Sequence, residues 1–221
     1  MSDQGPLPDR RDDFGLIETL LWTREGGFEL LPEHLARLAA SSAALGFRYA
    51  EGKVQTALSS AIPTDPAGPG RLRVRLVLSR DGNLETSDTP IEAIPPETVW
   101  RVALAGSRFS SDDLLLRHKT TRRALYEDEL ARAIKEKGAD EVLFLNERDE
   151  LCESARCNLF VPEGDILLTP PLSSGLLPGT LRARLIGQGR AQEAVLRLTD
   201  LPETFFLGNS VRGLIRARLL T

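Results

Sequence analysis

The segment RHKTTRRALYEDELARA, residues 117–133, decides the fold of this chain. It places three Arg, one His and one Lys directly before an amphipathic run, which predicts a helix that reaches about Lys137 and ends at Gly138. A helix N-terminus already carries partial positive charge and favours acidic neighbours, so this concentration of cations needs an explanation. Either the cations form an ordinary solvated surface, or they hold an anion or take part in catalysis.

The composition of the whole chain limits the classes of protein to which it can belong. Of its 221 residues, 41% are hydrophobic and 27% are charged, and the formal net charge is −4. Such a chain can bury a core as one large domain or two small ones, and its net charge argues against general nucleic-acid binding. It has no apolar run that could cross a membrane and no apolar signal-peptide core near its start, so we expect a cytoplasmic protein.

The metal-binding residue types are few. Cys152 and Cys157 are the only cysteines, and His34 and His118 are the only histidines. Two cysteines five residues apart, with no further ligands nearby, do not form a zinc motif, and a disulfide is not expected in a reducing compartment. The sequence therefore predicts no metal site.

The first half of the chain predicts a small mixed unit, residues 14–105, after a flexible arm of residues 1–13. A strand (16–23) with a return strand, two helices and a strictly alternating strand (71–78) follow one another. The helices are predicted at 32–46 and 51–61. In the alternating strand, Leu and Val face one side and mainly Arg faces the other, and RDGN predicts the turn that follows.

The second half predicts another mixed unit, residues 118–221, joined by an aperiodic link at 106–117. A strand at 99–105 precedes the link, and the helix of the opening segment follows it. Further strands are predicted in EVLFLN, ELCESARCNLFV, DILLTPP, AVLRL, TFFLG and LIRARLL, and a helix in PGTLRARLIG. The fold class is therefore mixed α and β in two halves, each with an antiparallel-looking sheet.

Lys119 and Glu153 are the first candidate site residues. A lysine held among other cations loses its proton more easily, which frees the amine for Schiff-base chemistry; a solvated lysine is the ordinary alternative. In a strand, Glu153 would share a face with Leu151 and Ala155. It is either a buried carboxylate that needs a partner, such as a protonated ring nitrogen, or the sign of a slipped register or an edge strand.

Three further features could bind anions. Gly179 and Thr180 begin a helix, whose free backbone N–H groups could hold a phosphate, although many helices begin with such a turn. Arg37 lies off the apolar face of its helix and is either a phosphate partner or solvated. The arginines of strand 71–78 could bind a substrate carboxylate or face water. The segment GNSVRG (208–213) is a loop of small polar residues with one arginine.

These features together describe pyridoxal 5′-phosphate, which has a phosphate, a ring nitrogen that pairs with an acid and an aldehyde that reacts with a lysine. The chain resembles the class IV aminotransferase family, the fold-type IV pyridoxal-phosphate enzymes, from Phe14 to its end. The resemblance rests on six ordered stretches: FGLIETLLW, PEHLARLAASSAALGF, HKTTRRALYEDELARA, GADEVLFLNERDELCESARCNLFV, LLTPPLSSGLLPGTLRARLI and FFLGNSVRG.

The resemblance implies a two-domain fold of the D-amino-acid-aminotransferase type and a role for individual residues. It implies that Lys119 binds the cofactor and shuttles the proton, that Glu153 pairs with the pyridine nitrogen and that Arg37 binds the phosphate. The other implied cofactor contacts are the backbone amides of Thr180 and Leu181, and Asn209 and Ser210. Many relatives have a hydroxyl residue where this chain has Leu181, so one side-chain hydrogen bond is expected to be missing.

The motifs are most similar to 4-amino-4-deoxychorismate lyase-like domains, which release pyruvate and form 4-aminobenzoate. Thr19 matches a threonine that lyases place beside the substrate, and Arg75 is the candidate for a substrate carboxylate. Branched-chain enzymes carry a tyrosine five residues after the lysine, where this chain has Ala124. The alternatives are an amino-acid aminotransferase of branched-chain or D-amino-acid type, and a cofactor-binding relative with little catalysis.

The resemblance also implies a homodimer that acts on a small amino substrate. Relatives usually have a longer segment before the FG strand, where this chain has thirteen residues, so part of the first domain is expected to be trimmed. Arg122 and Arg123 receive no role.

Overall fold

A computed structural model describes residues 14–65 and 67–220, and the predicted arm of residues 1–13 lies outside them. The first half forms a four-stranded antiparallel sheet in the order β2-β1-β3-β4. Its strands are β1 (Leu16–Thr23), β2 (Gly27–Phe28), β3 (Arg71–Leu78) and β4 (Leu84–Pro90). The predicted strands 16–23 and 71–78 are confirmed, whereas the return strand has only two residues.

Two helices cover the apolar face of this sheet, α1 (Leu31–Leu45) and α2 (Glu51–Ser60). Both confirm their predictions within a residue at each end, and Gly46, with φ 71°, ends α1 in the left-handed conformation that favours glycine. The alternation of β3 decides which face is covered, because Leu72, Val74, Leu76 and Leu78 are buried, whereas the arginines and Val77 lie on the opposite face. This opposite face borders the candidate site.

The second half forms an eight-stranded mixed sheet in the order β10-β9-β8-β11-β12-β5-β6-β7. Its strands are β5 (Val99–Phe109), β6 (Glu141–Asn146), β7 (Leu151–Ser154), β8 (Asn158–Glu163), β9 (Ile166–Thr169), β10 (Ala191–Glu193), β11 (Phe205–Asn209) and β12 (Gly213–Leu219). β7 also pairs with β8 through Glu153 and Asn158, so six of the strands close into a ring around an apolar core. Two helices accompany them, α3 (Ala124–Lys137) and α4 (Thr180–Gly187).

Several sequence predictions for this half need correction. The stretch ELCESARCNLFV is two strands, because the chain turns at residues 155–157, where the Ser154 hydroxyl caps the Cys157 N–H at 3.0 Å. AVLRL is not a strand. Its Ala194 N–H donates to the Thr169 carbonyl of β9, and its Leu196 carbonyl accepts the Leu151 N–H of β7. The segment therefore passes from one strand to another and forms a continuous ladder with neither.

The chain enters the second sheet at an earlier residue than the sequence predicts. β5 continues to Phe109, past the predicted end at 105, and pairs in parallel with β6 and β12. Residues 99–105, assigned by the sequence to the N-terminal unit, therefore belong to the second sheet. The parallel pairs make this sheet mixed, where the sequence indicated an antiparallel one. The division at residues 14–105, 106–117 and 118–221 stays a prediction.

Within residues 14–65 and 67–220, no helix combines the length and apolar character that crossing a membrane requires. The same part of the chain contains no group of three or more His, Cys, Asp or Glu side chains placed to hold a metal ion.

The packing of β3 generates a prediction about stability. Leu76 is fully buried, and its cross-strand partner on β4, Thr86, is exposed. We expect Leu76→Ala to lower the free energy of unfolding by about 2–5 kcal/mol, because it opens a cavity between β3 and the two helices. Thr86→Ala, the matched control, should change it by less than about 0.5 kcal/mol in the same urea titration. Equal effects of the two substitutions would contradict the burial of Leu76 beneath the two helices.

Candidate active site

A cavity of about 610 Å³ lies between the two sheets. It is lined by β1, the exposed face of β3, the segment from Asp113 to Glu127, the β7–β8 turn, the start of α4 and the loop after β11. The predicted site residues that line it are Thr19, Arg37, Arg75, Lys119, Glu153, Thr180, Asn209 and Ser210. Leu181 does not line the cavity, because its side chain packs in the apolar cluster around Phe160 and Leu185.

Lys119 stands on a short strip that joins the two halves of the molecule. Its carbonyl accepts the Ile17 N–H at 2.8 Å, and Thr120 forms an isolated bridge with Leu16. The Thr121 N–H then donates to the Gly15 carbonyl at 2.9 Å. The start of β1 therefore fixes the backbone that carries the lysine into the cavity.

The surroundings of Lys119 favour its neutral amine. Burial, with the nearby charges of Arg123 and Arg37, lowers the pKa of Lys119 to about 8, against the weaker opposite effects of Glu18 and Glu153. A neutral amine is the form that attacks a carbonyl carbon and accepts a proton. Lys119 therefore has the properties of a nucleophile and of a general base.

Glu153 is a buried carboxyl at the end of β7. Its Oε1 accepts the Tyr126 hydroxyl at 3.0 Å, and the backbone N–H of Leu177 also donates to it. Burial raises the pKa of Glu153 to about 7, although these two hydrogen bonds and the Arg123 charge act in the opposite direction. A carboxyl of this kind can share a proton with the ring nitrogen of a bound ligand.

Tyr126 is held firmly beneath Glu153. Its ring packs 5.3 Å from each of the rings of Phe109 and Phe144, which stack on one another. Burial and the neighbouring Glu153 raise the pKa of Tyr126 far above its usual value, so the hydroxyl stays protonated and acts as a donor. The donor that orients Glu153 is therefore fixed by apolar packing.

Arg37 lies in a buried network that sequence reasoning missed. Its Nε and one terminal nitrogen bind the two oxygens of Glu18 at 2.9 and 2.5 Å, and a further N–H donates to the Pro178 carbonyl. Glu18 also accepts from His34 Nδ1 at 2.6 Å. Although burial opposes it, Arg37 and His34 lower the pKa of Glu18 to about 2, so the carboxylate stays ionised.

Arg37 lines the cavity and keeps N–H donors that no described residue accepts. A guanidinium has five N–H donors, and three of those of Arg37 are used by Glu18 and Pro178. Two are left for a ligand. The ion pair thus holds the guanidinium plane in place and leaves one side of it available for an anion.

The start of α4 is the second anion-binding feature. Gly179 is its N-cap and gives the first turn no side-chain cap, so the helix N–H groups beside the cavity have no side-chain partner there. A Cβ at Gly179 would lie 1.8 Å from Asn158 Oδ1, so any other residue here would have to displace the Asn158 amide. Thr180 Oγ1 lies 3.3 Å from His34 Nε2, which connects α4 to the Glu18 network.

The loop after β11 is shaped by Asn209. Its Oδ1 accepts the N–H groups of Val211 and Arg212, and its Nδ2 donates to the Arg156 carbonyl at 3.1 Å. The Ser210 hydroxyl donates to the Thr19 carbonyl at 3.3 Å. Both side chains are therefore engaged with the protein backbone at the edge of the cavity.

Thr19 and Arg75 lie opposite one another on β1 and β3. Arg75 Nη1 is buried and has no hydrogen-bond partner within the described residues. Of the residues that line the cavity, seven are arginines and one is a lysine, against three acids. Since the whole chain carries −4, this positive lining is local and favours an anionic ligand.

The cations of the opening segment are not one solvated surface. His118 Nδ1 lies 2.9 Å from Ser41 Oγ, and the guanidinium of Arg122 lies 4.8 Å from the centre of the Phe14 ring. Arg123 lies 4.7 Å from the centre of the Tyr126 ring. The segment therefore distributes its charges among different partners around Lys119.

One sequence signal could have found the Glu18 network. Glu18 falls between Leu16 and Leu20 on the buried face of β1, and a carboxylate on such a face needs a buried partner. His34 and Arg37, one turn apart on α1, meet that need. Tyr126 and Asn158 gave no comparable signal, because their partners are distant in the sequence.

The Glu18 network predicts a pH-dependent contribution to stability. Because the folded-state pKa of Glu18 is about 2 and its usual value is 4.5, the contribution is present above about pH 4.5 and is lost as the pH falls towards 2. We expect Glu18→Gln to lower the free energy of unfolding at pH 7 by about 3 kcal/mol and to weaken the loss on acidification. The exposed Glu85→Gln is the control, and parallel pH profiles of the two variants in urea titrations would disprove the assignment.

Known proteins resemble this chain over nearly its full length. The family model described as amino-transferase class IV matches residues 15–220. A curated Schizosaccharomyces pombe protein named "Putative aminodeoxychorismate lyase" is 28% identical over 95% of this chain and 91% of its own. The crystal structure of a "Putative amino-acid aminotransferase" from Mesorhizobium loti is 42% identical, with a TM-score of 0.86 over 94% of this chain and 100% of its own.

A third relative shows the shared fold at lower identity. The crystal structure of a "Putative 4-amino-4-deoxychorismate lyase" from Legionella pneumophila superposes with a TM-score of 0.81 at 24% identity, over 100% of this chain and 88% of its own. Since the family match covers the two sheets and the cavity between them, the chain belongs to the class IV aminotransferase family, whose members are pyridoxal-phosphate-dependent aminotransferases and lyases.

Proposed function

We propose that this protein is a pyridoxal-phosphate-dependent lyase that converts 4-amino-4-deoxychorismate to 4-aminobenzoate and pyruvate. The observation that carries the proposal is one positively lined cavity that contains a lysine with a lowered pKa, a buried carboxyl and an unpartnered arginine nitrogen. These are Lys119, Glu153 and Arg75. The Schizosaccharomyces pombe relative, with its printed name, supports the choice of reaction.

The residues of the cavity fit the cofactor. The two remaining donors of Arg37, with the uncapped start of α4 at Thr180 and Leu181, suit its phosphate. Glu153 suits the ring nitrogen, and Lys119 suits the aldehyde carbon. When bound, the cofactor supplies an electron sink for the charge that develops on the amine-bearing carbon of the substrate.

Lys119 moves the proton in this proposal. Its neutral Nζ, favoured by burial and by neighbouring cations, takes the proton from the amine-bearing carbon of the substrate. Glu153 keeps its carboxyl towards the ring nitrogen while Tyr126 occupies its Oε1.

The substrate side of the cavity suits a carboxylate. Arg75 Nη1 is buried without a protein partner, and a buried guanidinium nitrogen is satisfied well by a carboxylate oxygen. Thr19 stands beside it on the neighbouring strand. We assign Arg75 to a substrate carboxylate and Thr19 to the substrate amine or hydroxyl groups, with Asn209 and Ser210 shaping the adjacent loop.

The second candidate function is an amino-acid aminotransferase. The Mesorhizobium loti relative favours it, since its printed name gives this activity and its identity to this chain is 42%. The two reactions differ in the bond that is broken and in the number of substrates. The lyase reaction breaks the carbon–oxygen bond of the substrate, loses one ring proton and needs no second substrate, whereas transamination requires a keto acid that accepts the amino group.

This difference sets the experiment. The protein with bound cofactor is incubated with 4-amino-4-deoxychorismate in the absence of any keto acid, and 4-aminobenzoate and pyruvate are measured. Equal molar amounts of both products support the lyase. No products, together with a change of the visible spectrum on addition of an L- or D-amino acid and release of its keto acid, would replace the lyase by the aminotransferase.

A substitution tests the role of the lysine. We expect Lys119→Ala to lose the visible absorption of the covalently attached cofactor and to lose activity by a factor of at least about 10³, because both the nucleophile and the base are removed. Lys135→Ala removes an exposed lysine on α3 and should resemble the parent protein in both measurements. Parent-like absorption and turnover in Lys119→Ala would refute the assignment.

A homodimer and a cytoplasmic location complete the proposal. The homodimer comes from the resemblance to the family, the cytoplasmic location comes from the sequence itself, and both stay predictions.

A further inference from the structure

Arg123 occupies a fixed position beside the two reactive groups. Its guanidinium lies 4.7 Å from the centre of the Tyr126 ring, and its Nη2 donates to the Ala155 carbonyl. Ala155 follows Glu153 by two residues, in the turn between β7 and β8. The side chain therefore extends from the start of α3 to the turn that carries the buried carboxyl, along the wall of the cavity.

The neighbouring arginine has a different environment. Arg122 lies over the Phe14 ring, at the edge of the first sheet, with 4.8 Å between the guanidinium and the ring centre. Both arginines line the cavity, but the contacts of Arg123 lead to Tyr126 and to the Glu153 turn. Two adjacent residues with the same charge thus provide a natural comparison.

The charged groups around Lys119 come from several elements. Arg123 precedes α3, Arg37 lies on α1, Glu18 on β1 and Glu153 on β7. After burial, Arg123 is the largest influence that lowers the pKa of Lys119, and it also acts to lower the pKa of Glu153. One guanidinium therefore disfavours the charged lysine and favours the charged carboxylate.

We propose that Arg123 is a positioning residue whose guanidinium, clamped between the Tyr126 ring and the Ala155 carbonyl, holds the Tyr126–Glu153 hydrogen bond in place and acts as a fixed positive charge on the cavity wall that also carries Lys119. The inference rests on the proposed function only for the reaction in which the Lys119 amine takes part. The contacts themselves belong to the protein without cofactor. A guanidinium suits this task because its plane stacks on an aromatic ring while its edge donates to a carbonyl.

The test measures the protonation of Lys119 in the cofactor-free protein. The chain has four lysines, and Lys53, Lys135 and Lys137 are exposed, so they are internal references. Brief labelling with trace acetic anhydride across pH 6–11, read for each lysine by mass spectrometry, gives the midpoint at which each amine becomes reactive. In the parent protein, Lys119 should become reactive at a lower pH than the other three lysines.

The expected result separates charge from structure. Arg123→Gln should raise the midpoint of Lys119 by about one pH unit and leave the three exposed lysines unchanged. Arg122→Gln, which removes the same charge one residue earlier, should leave the Lys119 midpoint near that of the parent. Arg123→Lys keeps the charge and should restore most of the low midpoint.

Two results would overturn the inference. One is an unchanged Lys119 midpoint in folded Arg123→Gln, and the other is an equal shift in Arg122→Gln. If Arg123→Gln does not fold, Arg123→Met removes the charge with an apolar side chain of similar reach and is judged by the same two criteria. Because no cofactor or substrate is present, a failed lyase assay does not affect this result, and a failed labelling result does not affect the lyase assay.

Discussion

The ionised carboxylate of Glu18 is the interaction on which the site depends. Burying a carboxylate costs several kcal/mol unless close partners compensate, and here Arg37 binds both oxygens while His34 binds one of them. The same two partners reach the second half of the molecule, Arg37 at the Pro178 carbonyl and His34 at the Thr180 hydroxyl. A charge buried in the first sheet thus fixes the arginine and the helix start that face the cavity between the halves.

The cavity brings the pKa values of a basic group and of an acidic group close to neutral pH. Burial lowers the pKa of Lys119 to about 8 and raises the pKa of Glu153 to about 7, because a low-dielectric site disfavours both charged forms. Both groups can therefore exchange a proton near neutral pH, which an exposed lysine or glutamate does poorly. Glu18, with a pKa of about 2, keeps a constant charge in the same region and acts as the fixed anchor.

The sequence predicted the parts of this structure that have local signals. The alternation of β3 and the proline and glycine that bound α1 gave their elements within a residue. The ordered motifs gave seven residues that line one cavity, and the alternating strand gave an eighth, Arg75. It failed where long-range pairing decides. AVLRL has strand composition but crosses two ladders, and β5 lies with the second sheet because β6 and β12 lie beside it. The Tyr126–Glu153 contact spans 27 residues and has no periodic trace.

The strand pairing that closes the second sheet also positions the residues of the site. β7 and β8 pair at Glu153 and Asn158, so the strand pair that completes the ring also places the buried carboxyl at the cavity. Asn158 then donates to the Leu177 carbonyl and lies against Gly179, where a Cβ would come within 1.8 Å of its oxygen. The Leu177 N–H in turn donates to Glu153. The turn at residues 155–157 that makes Glu153 difficult to interpret from its alternation is therefore the feature that brings the carboxyl and the anion-binding helix start together.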